Sequence, residues 1–366
     1  MSPPPLRVVI LGLSITSSWG NGHATTYRGL VRELTARGHD VLFLERDVEW
    51  YAKSRDMPSF PHGRTVLYRD LPELKRRFSA DIEDADLVIV GSYVPEGTQV
   101  GEWITAIARG VTAFYDIDTP VTLAKLARGD EEYLTAALIP LYQLYLSFTG
   151  GPILERLERE HGARMARPLY CSVDPELYYP EPASIQWDLG YMGTYSDDRQ
   201  PPLSRLLLEP AQQWTRGRFV VAGPQYPATI HWPNNVERIE HLAPAEHRGF
   251  YSSQRFTLNL TRADMVAAGF SPSVRLFEAA ACGTTIISDC WEGLDTLFEP
   301  GTEILTARTS GDVLSWVRHL PDGERLAIAM RARARVLAEH TAAHRAAELE
   351  GYALELIGRQ EMSSAS

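Results

Sequence analysis

Short, uninterrupted apolar runs recur along this chain at the length of buried strands, and most are followed by a polar loop and a helical stretch. Residues 7–13 form the first run. Residues 14–22 are a glycine-containing loop, and the helix after it sets Tyr27, Leu30, Val31 and Leu34 on one face. Gly38 closes that helix, and residues 41–44 are the next strand. Residues 86–90, 112–115, 144–148 and 168–171 read as further strands. Strands that do not alternate apolar with polar are buried on both faces, as in a parallel sheet sandwiched between helices.

The pattern then restarts. Residues 172–182 are a Pro-rich connector, after which residues 187–192 read as a strand and 202–214 as a helix. Residues 219–222, 236–239, 256–260 and 285–288 complete a second set of strands. The expected fold class is α/β: two doubly wound, Rossmann-like domains facing across a cleft. They cover residues 1–172 and 187–340, with a hinge at 173–186 and a final helix at 341–359.

Composition narrows the function. The chain has 366 residues, enough for two such domains, and 36 Lys plus Arg against 47 Asp plus Glu give a formal charge of −11. An acidic balance disfavours general binding to nucleic acid or anionic membranes. Cys171, Cys282 and Cys290 are odd in number and show no metal-ligand spacing, which points to a reducing compartment. No run approaches the ~18 apolar residues of a membrane span. The expectation is a cytoplasmic protein with no transmembrane segment and no nucleic-acid partner.

The stretch 268–289 is the most informative. It carries Arg275 and Glu278 three apart on an otherwise apolar helix, ended by Cys282 and Gly283 and followed by a buried strand. A carboxylate held there, beside the C-terminal edge of a parallel sheet, is suited to accept hydrogen bonds from vicinal sugar hydroxyls. Charges on a buried helix are costly unless used or fully paired. The loop 17–23 opens the first helix. Its glycines, Gly22 among them, let a ligand approach the backbone, and His23 at the helix start suits a general base or a hydrogen-bond donor. Residues 193–199 follow the first strand of the second half, where Thr194 and Arg199 suit a diphosphate. Arg262 and Gly223 lie on two further strand-end loops of that half. Asp116 and Asp118 precede a Thr-Pro turn. They lack a third metal ligand, so a catalytic or substrate-contacting carboxylate is the expectation rather than a metal site. Arg331, Arg333 and Arg335 read as a solvated helical face. No G-x-G-x-x-G follows any strand, against a dinucleotide-dependent oxidoreductase.

Together these residues resemble nucleotide-sugar glycosyltransferases of the GT-B fold, and within them the CgeB-like group. The resemblance covers nearly the whole chain. It rests on Arg275, Glu278 and Gly283, on the connector from Val173 to Pro180, on Gly22 and His23 with Arg37 to Val41, and on Glu339 to Arg345. It implies that Glu278 binds the donor's ribose or sugar hydroxyls, with Arg275 and Arg199 near the diphosphate. It also implies a final helix that crosses back onto the first domain, and no tightly bound cofactor or metal. The partners implied are a nucleotide-diphosphate sugar as donor and an acceptor that is a glycan, lipid, small molecule or protein. Many retaining members carry a second Glu eight residues before Glu278; here that place is Phe270, so retaining and inverting outcomes both stay open. A nucleotide-sugar epimerase of the same fold and a catalytically silent binding protein are the alternatives.

Overall fold

The computed structural model describes residues 4–19 and 23–364, and the chain divides into two compact units: residues 1–171 with 342–366, and residues 172–341. In the first unit β1 (Arg7–Gly12), α1 (His23–Ala36), β2 (Asp40–Arg46), α2 (Glu49–Ala52), β3 (Arg64–Tyr68), α3 (Leu71–Glu83) and β4 (Leu87–Gly91) come first. Then follow α4 (Gly97–Ile107), β5 (Val111–Asp116), α5 (Thr119–Ala127), β6 (Leu144–Ser147), α6 (Pro152–His161) and β7 (Ala166–Pro168). The strands pair in parallel in the order β3-β2-β1-β4-β5-β6-β7. The central strands β4 and β5 are buried at every position, as their unbroken apolar runs require. By contrast β3, Arg-Thr-Val-Leu-Tyr, buries only Tyr68; as an edge strand it lacks the apolar signature and was not foreseen. The strand expected at 168–171 instead ends at Pro168, which has no N–H and is tolerated only at an edge.

The second unit contains β8 (Trp187–Met192), α7 (Gln200–Leu203), α8 (Glu209–Gln213), β9 (Phe219–Ala222), β10 (Val236–Ile239), α9 (Pro244–Ser252) and β11 (Gln254–Asn259). They are followed by α10 (Ala263–Ala268), α11 (Val274–Ala281), β12 (Thr285–Ser288), β13 (Leu305–Thr306), α12 (Ser310–His319) and α13 (Asp322–Glu339). Its parallel sheet runs β10-β9-β8-β11-β12-β13 over a core of Leu189, Tyr191, Leu207, Phe219, Phe256 and Ile287. The single helix expected at 202–214 is broken by a π-helical turn, Ser204–Leu208, just before Pro210, which cannot donate to the preceding turn. The three arginines of α13 are not a solvated face. Arg331 Nε donates to Thr302 O, Arg333 Nε to Ala281 O, and Arg335 pairs with Glu303 and Glu339.

The connector is seated on the second unit. Val173 N–H donates to His340 O at 3.1 Å, and the Arg248 guanidinium lies 4.1 Å over the Tyr179 ring while Nε reaches Glu181 at 2.5 Å. The last helix, α14 (Ala342–Ser364), packs on α1 of the first unit. A Cβ on Gly29 would stand 2.9 Å from that of Ala342, so only a glycine lets the two helices approach this closely. Leu6 N–H donates to His39 Nδ1, which leaves Nε2 carrying the proton, 2.9 Å from Glu350 Oε1 of α14; Arg37 pairs with the same carboxylate. Thus the Arg-Gly-His segment at 37–39 latches the final helix.

Candidate active site

Each sheet reverses its strand order once, between β1 and β4 in one unit and between β8 and β11 in the other. Loops leaving the C-terminal ends of strands at such reversals flank the ligand crevice of open α/β sheets. The residues singled out in the sequence lie on such strand-end loops or on the helices that follow them. Gly22 is outside the described residues.

In the second unit the backbone itself makes the first feature. A Cβ on Gly223, whose φ is +142°, would stand 2.1 Å from Gly193 O, so the loops after β8 and β9 touch main chain to main chain. Arg238 fixes the crossing from below. Its guanidinium donates to Val221 O and Gly223 O and stacks between Tyr226 and Trp232, 4.3 and 4.6 Å from the ring centres. Arg199 folds onto its own loop, with Nη2 to Thr194 O at 2.8 Å and Nε to Ser196 Oγ at 2.8 Å.

Arg275 and Glu278 do not pair with each other. Arg275 reaches across the strand ends: Nε to Met192 O at 2.6 Å, Nη1 to Asn259 Oδ1 at 2.9 Å, with its guanidinium 4.9 Å over Tyr191. Its remaining nitrogen, Nη2, lies 3.1 Å from the point where a Cβ on Gly193 would be, facing the loop crossing. Asn259 Oδ1 also accepts from Ser273 Oγ at the start of α11, and its Nδ2 donates to Ser288 Oγ. Asp289 closes the network by accepting from Thr261 N and Oγ1 at 2.8 and 2.9 Å. Burial pushes the Asp289 carboxyl up, against the pull of those hydrogen bonds. Because the Ser273 hydroxyl is turned to Asn259, it makes no cap to α11, whose N-terminal amides are left for other partners.

Glu278 sits one turn deeper and is 3 % exposed. It accepts from Tyr251 Oη at 3.2 Å and from the hydroxyl of Tyr178 on the connector, which also lies 3.4 Å from His247 Nδ1. Burial raises its pKa, and His247 with the two tyrosines oppose that shift.

The first unit builds its edge differently. Glu45, fully buried at the end of β2, accepts from Ser14 Oγ, Ile15 N, Thr16 N and Thr16 Oγ1 at 2.6–3.1 Å. Arg28 on α1 donates to Ile15 O and grips Asp56 with two nitrogens. Burial alone would raise the Asp56 pKa, but hydrogen bonds from Arg28 and the Ser18 amide overcome it and bring it to about 2. The β1–α1 loop is therefore pinned from two sides.

His23 opens α1 with its ring stacked at 6.2 Å on Phe148 and edge-on to Tyr93 at 6.4 Å. Burial lowers its pKa to about 4, so it is a neutral imidazole near pH 7 and a weak base. Tyr93 occupies a left-handed backbone conformation, φ +65°, which a bulky residue adopts only under constraint. Its hydroxyl donates to Asp118 Oδ2 at 3.1 Å. The two aspartates have separate places. Asp116 is fully buried, accepting from Tyr145 Oη at 2.6 Å and Thr122 Oγ1 at 2.8 Å, and burial raises its pKa to about 6. It is enclosed and cannot touch a substrate in this structure. Asp118 is partly exposed at the rim, its amide donating to Asp116. Among the described residues no group of three or more His, Cys, Asp or Glu is placed to hold a metal ion.

Several residues that build these edges escape sequence reasoning: Glu45, Tyr93, Phe148, Arg238, Asn259 and Asp289. Glu45 and Asn259 share one signal, a polar residue in or just beyond the last turns of an apolar strand, where the sheet's C-terminal edge needs acceptors.

Comparison with known proteins agrees with this layout. A family described as glycosyl transferase-like matches residues 199–351. No curated protein matches the chain. Among solved structures, sucrose-phosphate synthase from Thermosynechococcus elongatus superposes with TM-score 0.70 at 14 % identity, over 96 % of this chain and 99 % of that one. Anabaena Alr3699/HepE in complex with UDP-glucose gives TM-score 0.69 at 12 % identity, over 96 % and 99 %. An alpha-glucosyltransferase in complex with UDP-glucose and DNA containing an abasic site gives 0.70 at 12 %, over 96 % and 100 %. The chain has the GT-B fold, two parallel-sheet α/β units with a final helix returned to the first, and residues 199–351 of it are glycosyl transferase-like.

Proposed function

We propose that the chain is a glycosyltransferase that binds a nucleotide-diphosphate sugar at the β8/β11 edge of the second unit and its acceptor at the β1/β4 edge of the first. The observation that carries this reading is the arrangement at the second edge. Bare backbone at Gly193 and Gly223, the uncapped start of α11 and the spare nitrogen of Arg275 face a single place, as a diphosphate requires. Arg262 and Arg199, with Thr194, stand on the loops beside it. A leaving diphosphate stabilised by amides, a helix terminus and arginines needs no metal, and we read the enzyme as metal-independent and of the hexosyltransferase type. The CgeB-like group is the subfamily we favour, on the Arg275, Glu278 and Gly283 pattern, and the unpaired cysteines favour a cytoplasmic location.

Glu278 takes ribose or sugar hydroxyls in exchange for the Tyr178 hydroxyl that it accepts here. On the acceptor side Asp118 is the better base, and neutral His23 orients the acceptor hydroxyl; Asp116 acts through the position of Asp118. Thermal shift with UDP, GDP, TDP, ADP, CMP, NAD and NADP tests the reading. One nucleoside diphosphate at 100 times its Kd should stabilise the chain by about 2.7 kcal/mol, and Glu278→Ala should lose most of that. His23→Ala should lower turnover and keep the nucleotide response. A response to NAD alone, or donor affinity unchanged in the Glu278 variant, would refute the assignment.

A further inference from the structure

Two of the largest apolar side chains on the first unit are left in solvent at its C-terminal edge. Trp19 is 49 % exposed on the β1–α1 connection, and Trp50 is 57 % exposed in the short α2 after β2. Their two loops are one rigid body. Ser18 N donates to Asp56 Oδ1, Ser17 Oγ to Ser54 O, Met57 N to Thr16 O, and Arg55 bridges Thr16 Oγ1 and Asp47. Buried Glu45 and the Arg28–Asp56 pair hold that body to the sheet. An edge so fully hydrogen-bonded does not need exposed indoles for its own stability. Large apolar rings on a pre-ordered surface are instead the usual anchors of recognition.

We propose that Trp19 and Trp50 form a stacking platform for a saccharide acceptor. The surroundings select this occupant. Exposed carboxylates, Glu49 and Asp47, stand between and beside the rings, matching a ligand with apolar C–H faces and hydroxyl donors. The same carboxylates and the net charge of −11 repel nucleic acid and anionic lipid. The platform continues along the chain into His23, so a sugar stacked on it leads towards the acceptor side already described. The proposal rests on the transferase reading and names the acceptor class for it.

The test uses the full-length protein and the Trp19→Ala, Trp50→Ala and double variants on a printed array of microbial glycans. Vesicles of phosphatidylcholine with phosphatidylglycerol form a second arm. The wild type should bind a restricted set of glycans. The double variant should bind them about tenfold more weakly, with unchanged melting temperature and unchanged response to the nucleoside diphosphate. Glycan binding equal in wild type and double variant overturns the platform, and so does a wild type that binds no glycan. Vesicle binding that the substitutions remove overturns the saccharide class in favour of lipid. Loss of the nucleotide response in the wild type itself would instead sink the transferase reading, so the two failures are distinguishable.

Discussion

The two sheets reverse strand order in the same way, yet the edges they present are chemically opposite. At β8/β11 the working groups are arginines wired to main-chain carbonyls, bare glycine backbone and a helix start. At β1/β4 they are aromatic rings, a neutral imidazole and carboxylates, one buried and one at the rim. The difference teaches that topology chooses the place and side chains choose the ligand: one edge is built for an anion, the other for an uncharged polyol.

The comparison breaks most severely at Arg275. Its guanidinium spans Met192, Asn259 and Leu260, so Arg275→Ala leaves three acceptors at the strand ends without their donor. We expect a loss of about 3 kcal/mol in urea denaturation together with loss of nucleotide binding. Arg275→Lys should recover little, because an ammonium cannot span that fork. Stability kept in Arg275→Ala would mean that the second edge is not wired as described.

The first edge is sharpened by pH. His23 sits at about 4 against its ordinary 6.5, so its contribution to stability is present above pH 6.5 and lost as pH falls towards 4. Asp116 sits at about 6 against 3.8, so its contribution is present below pH 3.8 and lost as pH rises through 6. Each is worth at most about 3 kcal/mol, and they oppose one another across the window from 4 to 6. Relative to wild type, Asp116→Asn should lose stability on acidification through that window, and His23→Gln should gain it. Urea midpoints at pH 4, 5, 6 and 7 check both slopes; parallel slopes in the three proteins would contradict the buried placement of these groups.

The fold was legible where burial is complete. The runs at 187–192, 219–222, 236–239 and 285–288 match observed strands end to end because both faces of a central strand must be apolar. Edge strands β3 and β13 were missed, since one exposed flank frees their residues from that demand. At the site, positions were legible and partners were not. Arg275 and Glu278 stood out as charges on an apolar helix, but three-residue spacing says nothing of Met192 O or Tyr178, which reach them from distant segments. Asp116 and Asp118 look equivalent in sequence. Only the fold shows that one faces Tyr145 inside the core while the other stays at the rim.

The smallest expected effect separates wiring from ligand contact. Arg262 is the least committed arginine of the second edge. Its Nε is buried without a hydrogen-bond partner among the described residues, and the nearest carboxylate oxygen, of Asp198, is 3.7 Å away. A half-exposed pair at that distance contributes about 0.5 kcal/mol or less. Arg262→Ala should therefore leave the urea midpoint almost unmoved while weakening nucleoside diphosphate binding about fivefold, the worth of one charge-assisted contact. A drop in stability with affinity intact would make Arg262 part of the scaffold and leave Arg275 Nη2 and the α11 amides as the anion's partners.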